Sequence, residues 1–324
     1  MRVSGFILWL VGLTAFATVI GYQGVGTVAA AVAAAGWGLL FVTLFHVVPL
    51  VADAAAWQSL FESPKPLRFA SAIRIRWIGE SVNQLLPAAQ IGGDFVRARL
   101  AFHCGVPGVI AGAGVVADLT LGILTQILFA LIGLTLLARV DGVEGTLVLA
   151  VIGICIISVL LALFYKVQKF GLFGFLTRVL QFVARSREWM SLVGSAKALD
   201  DSLVNHYQRR RDVLLSCTFR MFAWLIGAGE VWLALYFLGH PITIWEAVIL
   251  ESLTHMIRSA AFFIPGALGV QEGGMMVLGG LIGLGSETAL ALSLVKRVRE
   301  LTLGLLGLVA WQVSEGVWHG HQRS

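Results

Sequence analysis

The sequence predicts an all-α integral membrane protein with about six transmembrane helices and two re-entrant motifs. Hydrophobic residues make up 58% of the 324 residues and charged residues 13%, against roughly 45–50% and 25% in soluble domains. The apolar residues form runs long enough to cross a bilayer, which takes about 20 residues per helix. The basic residues fall between these runs, as the positive-inside rule expects. The net charge of +5 therefore needs no nucleic acid partner to explain it.

The N-terminal region is predicted to hold two spans. No charged residue occurs between Arg2 and Asp53, and a gap of that length accommodates two helices of about 20 residues. The turn between them is expected at residues 21–26. A secretory signal peptide is the alternative, because Arg2, an apolar run and residues 15–17 (AFA) imitate its three regions. The apolar character resumes at once after the turn, which favours two spans.

The first unusual stretch covers residues 83–99, NQLLPAAQIGGDFVRAR. Pro87, Gly92 and Gly93 interrupt a helical pattern next to the carboxylate of Asp94. Such residues are costly in a bilayer unless they line a protected cavity, because proline and glycine release backbone groups and a carboxylate requires a partner. The stretch is therefore predicted to be re-entrant.

A second stretch, residues 263–272 (FIPGALGVQE), repeats this combination. It contains Pro265, Gly266 and Gly269, and its carboxylate, Glu272, again follows the proline by seven residues. We interpret the two stretches as halves of one membrane-embedded site.

The remaining apolar runs predict four further spans. They lie within residues 105–138, at 146–165, at 213–238 and at about 288–316. The last of these helices carries four charged residues toward its middle.

Basic residues set the predicted orientation. Residues 60–76 are expected in the cytoplasm, and so is an amphipathic insert at residues 166–212, which has nine basic and four acidic residues. Asp141 and His240 are expected on the outer side. Both termini of this multi-pass protein of the cell (inner) membrane are then cytoplasmic.

The number of crossings predicts an inverted repeat within a single polytopic domain. Residues 1–140 and 141–324 each contain three spans and one re-entrant motif, so a second copy has to lie upside down. An offset of 178 residues aligns the prolines and the carboxylates of the two motifs. Inverted repeats are typical of transporters, whose sites form where the repeats meet.

Polar residues in the second half give a candidate site on one helix face. Glu251, His255 and Arg258 stand at positions i, i+4 and i+7, which places them on the same side of a helix. An arginine on such a face suits the phosphate or carboxylate of a zwitterionic or anionic head group.

The last predicted helix carries a second group of charges. Glu300 follows Lys296 by four residues and Arg297 by three, so these side chains can neutralise each other. Ionisable residues inside a membrane are functional-site candidates, and the alternative is that they pair to hold helices together. The candidate head-group residues are Asn83, Asp94, Arg97, Glu251, His255, Arg258, Glu272, Arg297 and Glu300.

Motifs of enzyme chemistry do not occur in the sequence. HExxH, GxSxG, Walker and GxGxxG patterns are absent, as is metal-ligand spacing of Cys and His. We therefore expect no catalytic residue, metal or cofactor. An acid–base pair of Glu272 and His255 would serve an intramembrane lipid-modifying transferase, but no nucleophile accompanies it. A non-catalytic membrane subunit of a lipid-biosynthesis complex is a further alternative.

The two motifs, NQLLPAAQIGGDFVRARL and PGALGVQEGG, and the charge cluster in the last helix resemble the flippase-like transmembrane family of lysylphosphatidylglycerol synthases over nearly the whole chain. NQLLPAAQIGGD and VVADLTLG look most like the branch associated with hopanoid biosynthesis. Two positions depart from the family pattern: Ala267 stands where relatives usually have a glycine, and Ala117-Asp118 where they often have an Arg or Glu pair. Since the chain ends at Ser324, the soluble aminoacyl-transfer domain of the family is expected to be absent.

The function that this resemblance implies is binding and transbilayer movement, or hand-over, of a polar lipid of the hopanoid or aminoacyl-phospholipid type. Membrane lipid is the expected substrate, and lipid-biosynthesis enzymes are candidate partners. The sequence leaves the oligomeric state and the energy source open.

Overall fold

The computed structural model describes residues 35–61, 67–86, 92–140, 196–261 and 269–321, together with Gly26, Ala30, Ala33 and Ala267. Within these residues the regular structure is helical and contains no strand. The helices are α1 (Gly38–Phe45), α2 (Val47–Gln58), α3 (Phe69–Leu85), α4 (Gly92–His103), α5 (Gly108–Leu137), α6 (Ala196–Gln208), α7 (Arg210–Phe237), α8 (Ile244–Ala260), α9 (Val270–Leu281) and α10 (Ser286–His321).

Some predictions concern residues outside the described ranges. These are the first and fourth spans, most of the insert at 166–212, and the positions Pro87, Asp141, Pro265 and Gly266.

Three segments among the described residues are long and apolar enough to cross a membrane. They are Gly38–Gln58, which comprises α1 and α2, Gly108–Leu137 and Arg210–Phe237. They overlap the second, third and fifth predicted spans. Large apolar side chains on their surfaces, such as Phe41 and Phe222, are each 55% exposed, as expected for helices that contact lipid.

The first motif forms a close helical hairpin of α3 and α4. A Cβ atom added to Gly93 would lie 1.9 Å from the backbone oxygen of Gly79, so the glycine allows the two backbones to approach. The backbone N–H of Gly93 donates to Oδ1 of Asn83 at 2.7 Å. This bond satisfies one of the N–H groups that a helix start leaves without an intrahelical partner.

The second motif connects α8 to α9 and has the same kind of side-chain cap. Gly269, with φ of 78°, precedes α9, and its N–H donates to Oε2 of Glu272 at 2.8 Å. Ala267 is buried and has φ of 48°, a left-handed conformation in which an alanine is strained and a glycine is not.

The two hairpins have matching dimensions. α3 and α8 each have 17 residues, and α4 and α9 each have 12. Val270 follows Gly92 by 178 residues, and Ser286 follows Gly108 by the same number. The starts of α4 and α9, and those of α5 and α10, therefore keep the offset that aligns the two sequence motifs.

Each hairpin packs against the long helix of the other half of the chain. α3 contacts α10, and α8 contacts α5. Both crossings place a glycine against a serine: a Cβ on Gly307 would lie 2.0 Å from Ser81 Oγ, and a Cβ on Gly133 would lie 1.8 Å from Ser252 Oγ. The halves are thus interleaved, with α2 packed against α7 as well.

Candidate functional site

A cavity of about 330 Å³ lies among α2, α3, α4, α5, α7, α8 and α10. The described residues that line it include six basic and six acidic side chains: Arg76, Arg97, Arg220, Arg258, Lys296 and Arg299, with Asp53, Glu80, Asp94, Asp118, Glu230 and Glu251. This volume is within the range of ligand sites, roughly 300–1,000 Å³.

Asp118 of α5 is the centre of one group of charges, and its side chain is 1% exposed. Arg97 Nη2 donates to its Oδ2 at 2.6 Å, and Arg76 Nη1 donates to the same oxygen at 3.0 Å. Arg220 donates to its Oδ1. One carboxylate therefore joins α3, α4 and α7 to α5.

Two further carboxylates complete this group. Asp53 accepts from Arg76 at 3.0 Å and from Arg220 at 2.9 Å, and Asp94 accepts from Arg97 at 3.0 Å. With three arginines and three aspartates the group is neutral. We call it the Asp118 cluster: Asp53, Arg76, Asp94, Arg97, Asp118 and Arg220.

A second group surrounds the break between α1 and α2, where His46 separates the two helices. Its Nδ1 lies 2.7 Å from Glu230 Oε2, and its Nε2 lies 3.1 Å from Glu80 Oε1. Arg299 Nη1 donates to Glu230 Oε2 at 2.9 Å and also contacts His46 Nδ1. We call these four residues, His46, Glu80, Glu230 and Arg299, the His46 cluster.

Glu251 of α8 has two partners in the cavity. Lys296 Nζ lies 2.5 Å from its Oε2, and His255 Nε2 lies 3.2 Å from its Oε1. Lys296 therefore pairs across helices with Glu251, and not within α10 with Glu300 as its spacing suggested, because its side chain extends toward α8.

Glu300 lies beside the cavity and links three arginines. Its Oε1 accepts from Arg258 Nη1 at 2.6 Å and from Arg299 Nη2 at 3.3 Å, and its Oε2 accepts from Arg297 Nη1 at 3.1 Å. Arg297 Nε also donates to Glu272 Oε1 at 2.9 Å. The pairing of Arg297 with Glu300 is the one that the i, i+3 spacing predicts.

The candidate residues from the sequence divide into two sets. Asn83, Asp94, Arg97, Glu251, His255 and Arg258 line the cavity, whereas Glu272, Arg297 and Glu300 do not. Glu272 contacts Arg297 and the start of α9, and His255 contacts Glu251, so the structure does not bring Glu272 and His255 together as an acid–base pair.

Sequence reasoning left several cavity residues out of the candidate site. Asp118, Arg220 and Glu230 are isolated charges inside apolar runs, and that isolation was a usable signal. Arg76 is the last residue of the segment 60–76 that is predicted to be cytoplasmic, but its side chain contacts Asp118 in the cavity; Glu80 follows one turn later. His46 carried no signal, since a lone histidine in an apolar run is more often a packed side chain.

The two clusters occupy different levels of the same cavity. On α7, Arg220 of the Asp118 cluster and Glu230 of the His46 cluster lie ten residues apart, about 15 Å along the helix axis. On α3, Arg76 of the first cluster and Glu80 of the second lie one turn apart, about 6 Å, so the two clusters adjoin each other there.

The cavity reaches the protein surface between α5 and α8. Ile123 of α5 lines the cavity and is 51% exposed. One turn further along α5, Gln126 Nε2 donates to Ser259 Oγ at 2.6 Å and to the backbone oxygen of His255 at 3.1 Å. At the other end of this contact, Gly133 holds the two helices close together. The two helices are thus closest at Gly133, and at the level of Gln126 they are joined by the hydrogen bonds of this side chain.

Comparison with protein families matches residues 7–307 to the family described as the lysylphosphatidylglycerol synthase TM region. Neither curated proteins nor solved structures give a match.

Proposed function

Because the chain belongs to the family of lysylphosphatidylglycerol synthase transmembrane regions, we propose that it binds a polar membrane lipid and moves it across the bilayer or hands it on. The observation that carries this proposal is a single cavity lined by two ion-pair clusters at different levels of α7. A membrane role connected with lipids follows from the family; movement of the lipid is the proposed step.

The cavity supplies what a lipid head group loses on leaving water. A charged or strongly polar group in hydrocarbon is costly unless it finds partners. Arginines offer paired N–H donors to phosphate, and the aspartates and glutamates offer acceptors to amines and hydroxyls. A head group that moves from the Asp118 cluster to the adjoining His46 cluster would find the same kinds of partners at both.

The packing of the hairpins supports an inverted repeat as the framework for this movement. α3 contacts α10 and α8 contacts α5, so the contacts are reciprocal between the halves. Such a framework can expose one site alternately to either side. With cytoplasmic termini, an arrangement that the basic segments favour, the Asp118 cluster is the level nearer the cytoplasm.

The contact between α5 and α8 is the proposed route of access from the bilayer. The acyl chains remain in the lipid while the head group passes Ile123 and the Gln126–Ser259 hydrogen bond. A lipid of the hopanoid or aminoacyl-phospholipid type is the proposed substrate, and enzymes of lipid biosynthesis are the proposed partners.

Reconstitution in liposomes tests this function. Labelled lipids of several head-group types are placed in one leaflet, and their accessibility to a membrane-impermeant quencher is followed. We expect protein-dependent movement of at least one polar lipid with unchanged lipid mass, and slower movement for Arg220→Gln than for the exposed control Asp201→Asn. A changed lipid mass would indicate a transferase instead. If the folded protein neither binds nor moves any polar lipid, the proposal is wrong.

A further inference from the structure

We propose that His46 holds an exchangeable proton and that the protein exchanges this proton for the cationic group of a lipid head group. The inference rests on the proposed lipid-binding function and adds to it a proton that leaves the site when the lipid binds.

Among the described residues outside the Asp118 cluster, the carboxylates outnumber the fixed cations. Four cations face five carboxylates, whereas the Asp118 cluster is neutral. Glu80 is the carboxylate without a Lys or Arg ion pair, and because its side chain is 27% exposed in the cavity, either a proton on His46 or a bound cation can be its partner. The residues counted are Arg258, Lys296, Arg297 and Arg299, with Glu80, Glu230, Glu251, Glu272 and Glu300.

The missing positive charge belongs at His46. Glu80 contacts His46 and the neutral Gln84, and among the described side chains no Lys or Arg forms an ion pair with it. Protonated imidazole has an N–H on both ring nitrogens. It can therefore donate to Glu80 through Nε2 and to Glu230 through Nδ1, at the observed distances of 3.1 and 2.7 Å.

His255 has a different set of neighbours. Its carboxylate partner, Glu251, already contacts Lys296 at 2.5 Å. The two histidines of the cavity therefore differ. His46 contacts two carboxylates that share one arginine, whereas His255 contacts one carboxylate that has its own lysine.

The neutral form of His46 also has a partner in place. Arg299 Nη1 contacts the same Nδ1 that faces Glu230. When Nδ1 has lost its proton it can accept from Arg299, while Nε2–H continues to donate to Glu80. Loss of the Nδ1 proton therefore leaves a partner for Nδ1, whereas the protonated ring requires the Arg299 side chain to turn away from Nδ1, since both groups are then donors.

The exchange conserves charge. The ammonium group of a head group approaches Glu80 and Glu230, of which Glu230 Oε1 is buried and has no hydrogen-bond partner among the described residues. The Nδ1–H bond of His46 then breaks, its electron pair stays on nitrogen, and the proton passes to water in the cavity. One cation enters and one leaves, so binding of the head group and of the proton oppose each other reciprocally.

The charged groups around His46 all come from its neighbouring helices. They are Glu80 on α3, Glu230 on α7, and Arg299 on α10; Glu300 of α10 shares with His46 the lining of a small second cavity of about 10 Å³. Two carboxylates and one guanidinium therefore face the same imidazole ring.

Proton release on lipid binding tests the inference. The purified protein in weakly buffered detergent with a pH indicator dye is mixed with phosphatidylcholine, whose quaternary ammonium cannot itself titrate. Phosphatidylglycerol, which has the phosphate without the cation, and an uncharged galactolipid are the matched lipids. We expect release of about one proton per bound phosphatidylcholine and none with the other two.

Variants locate the source of the proton. His46→Gln keeps hydrogen bonding but cannot titrate, and His46→Lys keeps a fixed charge; we expect both to release no proton. The exposed His240→Gln is the matched control and releases the same number as the parent. If both His46 variants misfold, the affinity of the parent protein for phosphatidylcholine is measured as a function of pH. The exchange requires this affinity to fall as the pH is lowered and His46 binds its proton.

Three outcomes distinguish failure of the proton exchange from failure of the proposed lipid-binding function. Binding of phosphatidylcholine without proton release, or with undiminished release by folded His46→Gln, overturns the proton exchange and leaves lipid binding intact. Absence of binding of any polar lipid to folded protein overturns both.

Discussion

Arg97 of α4 donates to Asp118 of α5 at 2.6 Å while its guanidinium carbon lies 4.4 Å from the centre of the Trp57 ring on α2. Arg97 is 2% exposed and also donates to Asp94 at 3.0 Å, so this charge has exchanged water for two carboxylates and one aromatic face. The second helix of the first hairpin is thereby fixed to two of the apolar spans. Stability and lipid handling are therefore expected to depend on overlapping residues.

Asp118→Asn is expected to lower the stability of the protein strongly. The three arginines around this position would keep only two carboxylates, and breaking a buried pair costs about 3–5 kcal/mol. Thermal unfolding in detergent measures the effect, with the exposed Asp201→Asn as control. A melting temperature within a degree of the parent would show that the cluster does not support the fold.

Gly93→Ala is expected to disrupt the first hairpin. The added methyl group would lie 1.9 Å from the backbone oxygen of Gly79, which cannot move without separating α3 from α4. Gly273→Ala is the matched control, since it lies near the start of α9 with no atom within 4 Å. We expect poor accumulation in the membrane for the first variant and parental or slightly higher stability for the second. Equal behaviour of the two would contradict the close crossing.

Arg297→Gln and Arg258→Gln are expected to have different effects. Arg297 lies outside the cavity lining and pairs with Glu272 and Glu300, so its replacement should destabilise the protein by several kcal/mol. Arg258 lines the cavity, where water can replace a lost partner, and its replacement should reduce lipid binding at a melting temperature within a few degrees of the parent. Melting curves and lipid-binding isotherms on the same preparations check this. The reverse order of effects would remove Arg258 from the head-group site.

A disulfide between cysteines at positions 126 and 259 is expected to close the access route. In the parent, Gln126 and Ser259 are joined by a 2.6 Å hydrogen bond between α5 and α8. We expect lipid movement by the double variant to stop on oxidation and to return on reduction. Oxidation of the single variant Gln126→Cys is the control. Undiminished movement with the bond formed would place the route elsewhere.

Ala267→Gly is expected to stabilise the protein by about 1 kcal/mol or less. Ala267 has φ of 48°, and an alanine in the left-handed region costs roughly 1–2 kcal/mol more than a glycine, partly offset by the greater chain entropy of glycine when unfolded. Thermal unfolding measures the gain, and Ala261→Gly serves as the comparison outside that region. A clear loss of stability would contradict the strained conformation.

The sequence predicted the features that depend on local pattern. Apolar length identified the spans at α5 and α7, and the i, i+4, i+7 spacing identified Glu251, His255 and Arg258, which do line one cavity. The similarity of the motifs to one family is confirmed by the family match, whereas the hopanoid branch stays a prediction.

Features that depend on contacts between distant helices could not be read from the sequence. Asp118 is the centre of a cluster because α2, α3, α4 and α7 all pack around it. The residues next to Asp118 in the sequence do not indicate which helices these are. Lys296 is paired with Glu251 and not with Glu300 for the same reason. Local spacing identifies which side chains share a face but not which helix lies opposite that face.

The interleaved packing has a consequence for how the chain is made. Trp77 of α3 donates from its indole nitrogen to the backbone oxygen of Leu303 in α10, 226 residues later. At about 5–20 residues per second, the ribosome needs roughly 10–45 seconds to synthesise the residues between them. During that interval the first hairpin has been made without the helix that covers it. The nascent protein therefore requires a protected place beside the membrane insertion machinery until α10 is complete, and truncation within α10 should leave the first hairpin exposed to quality-control proteolysis.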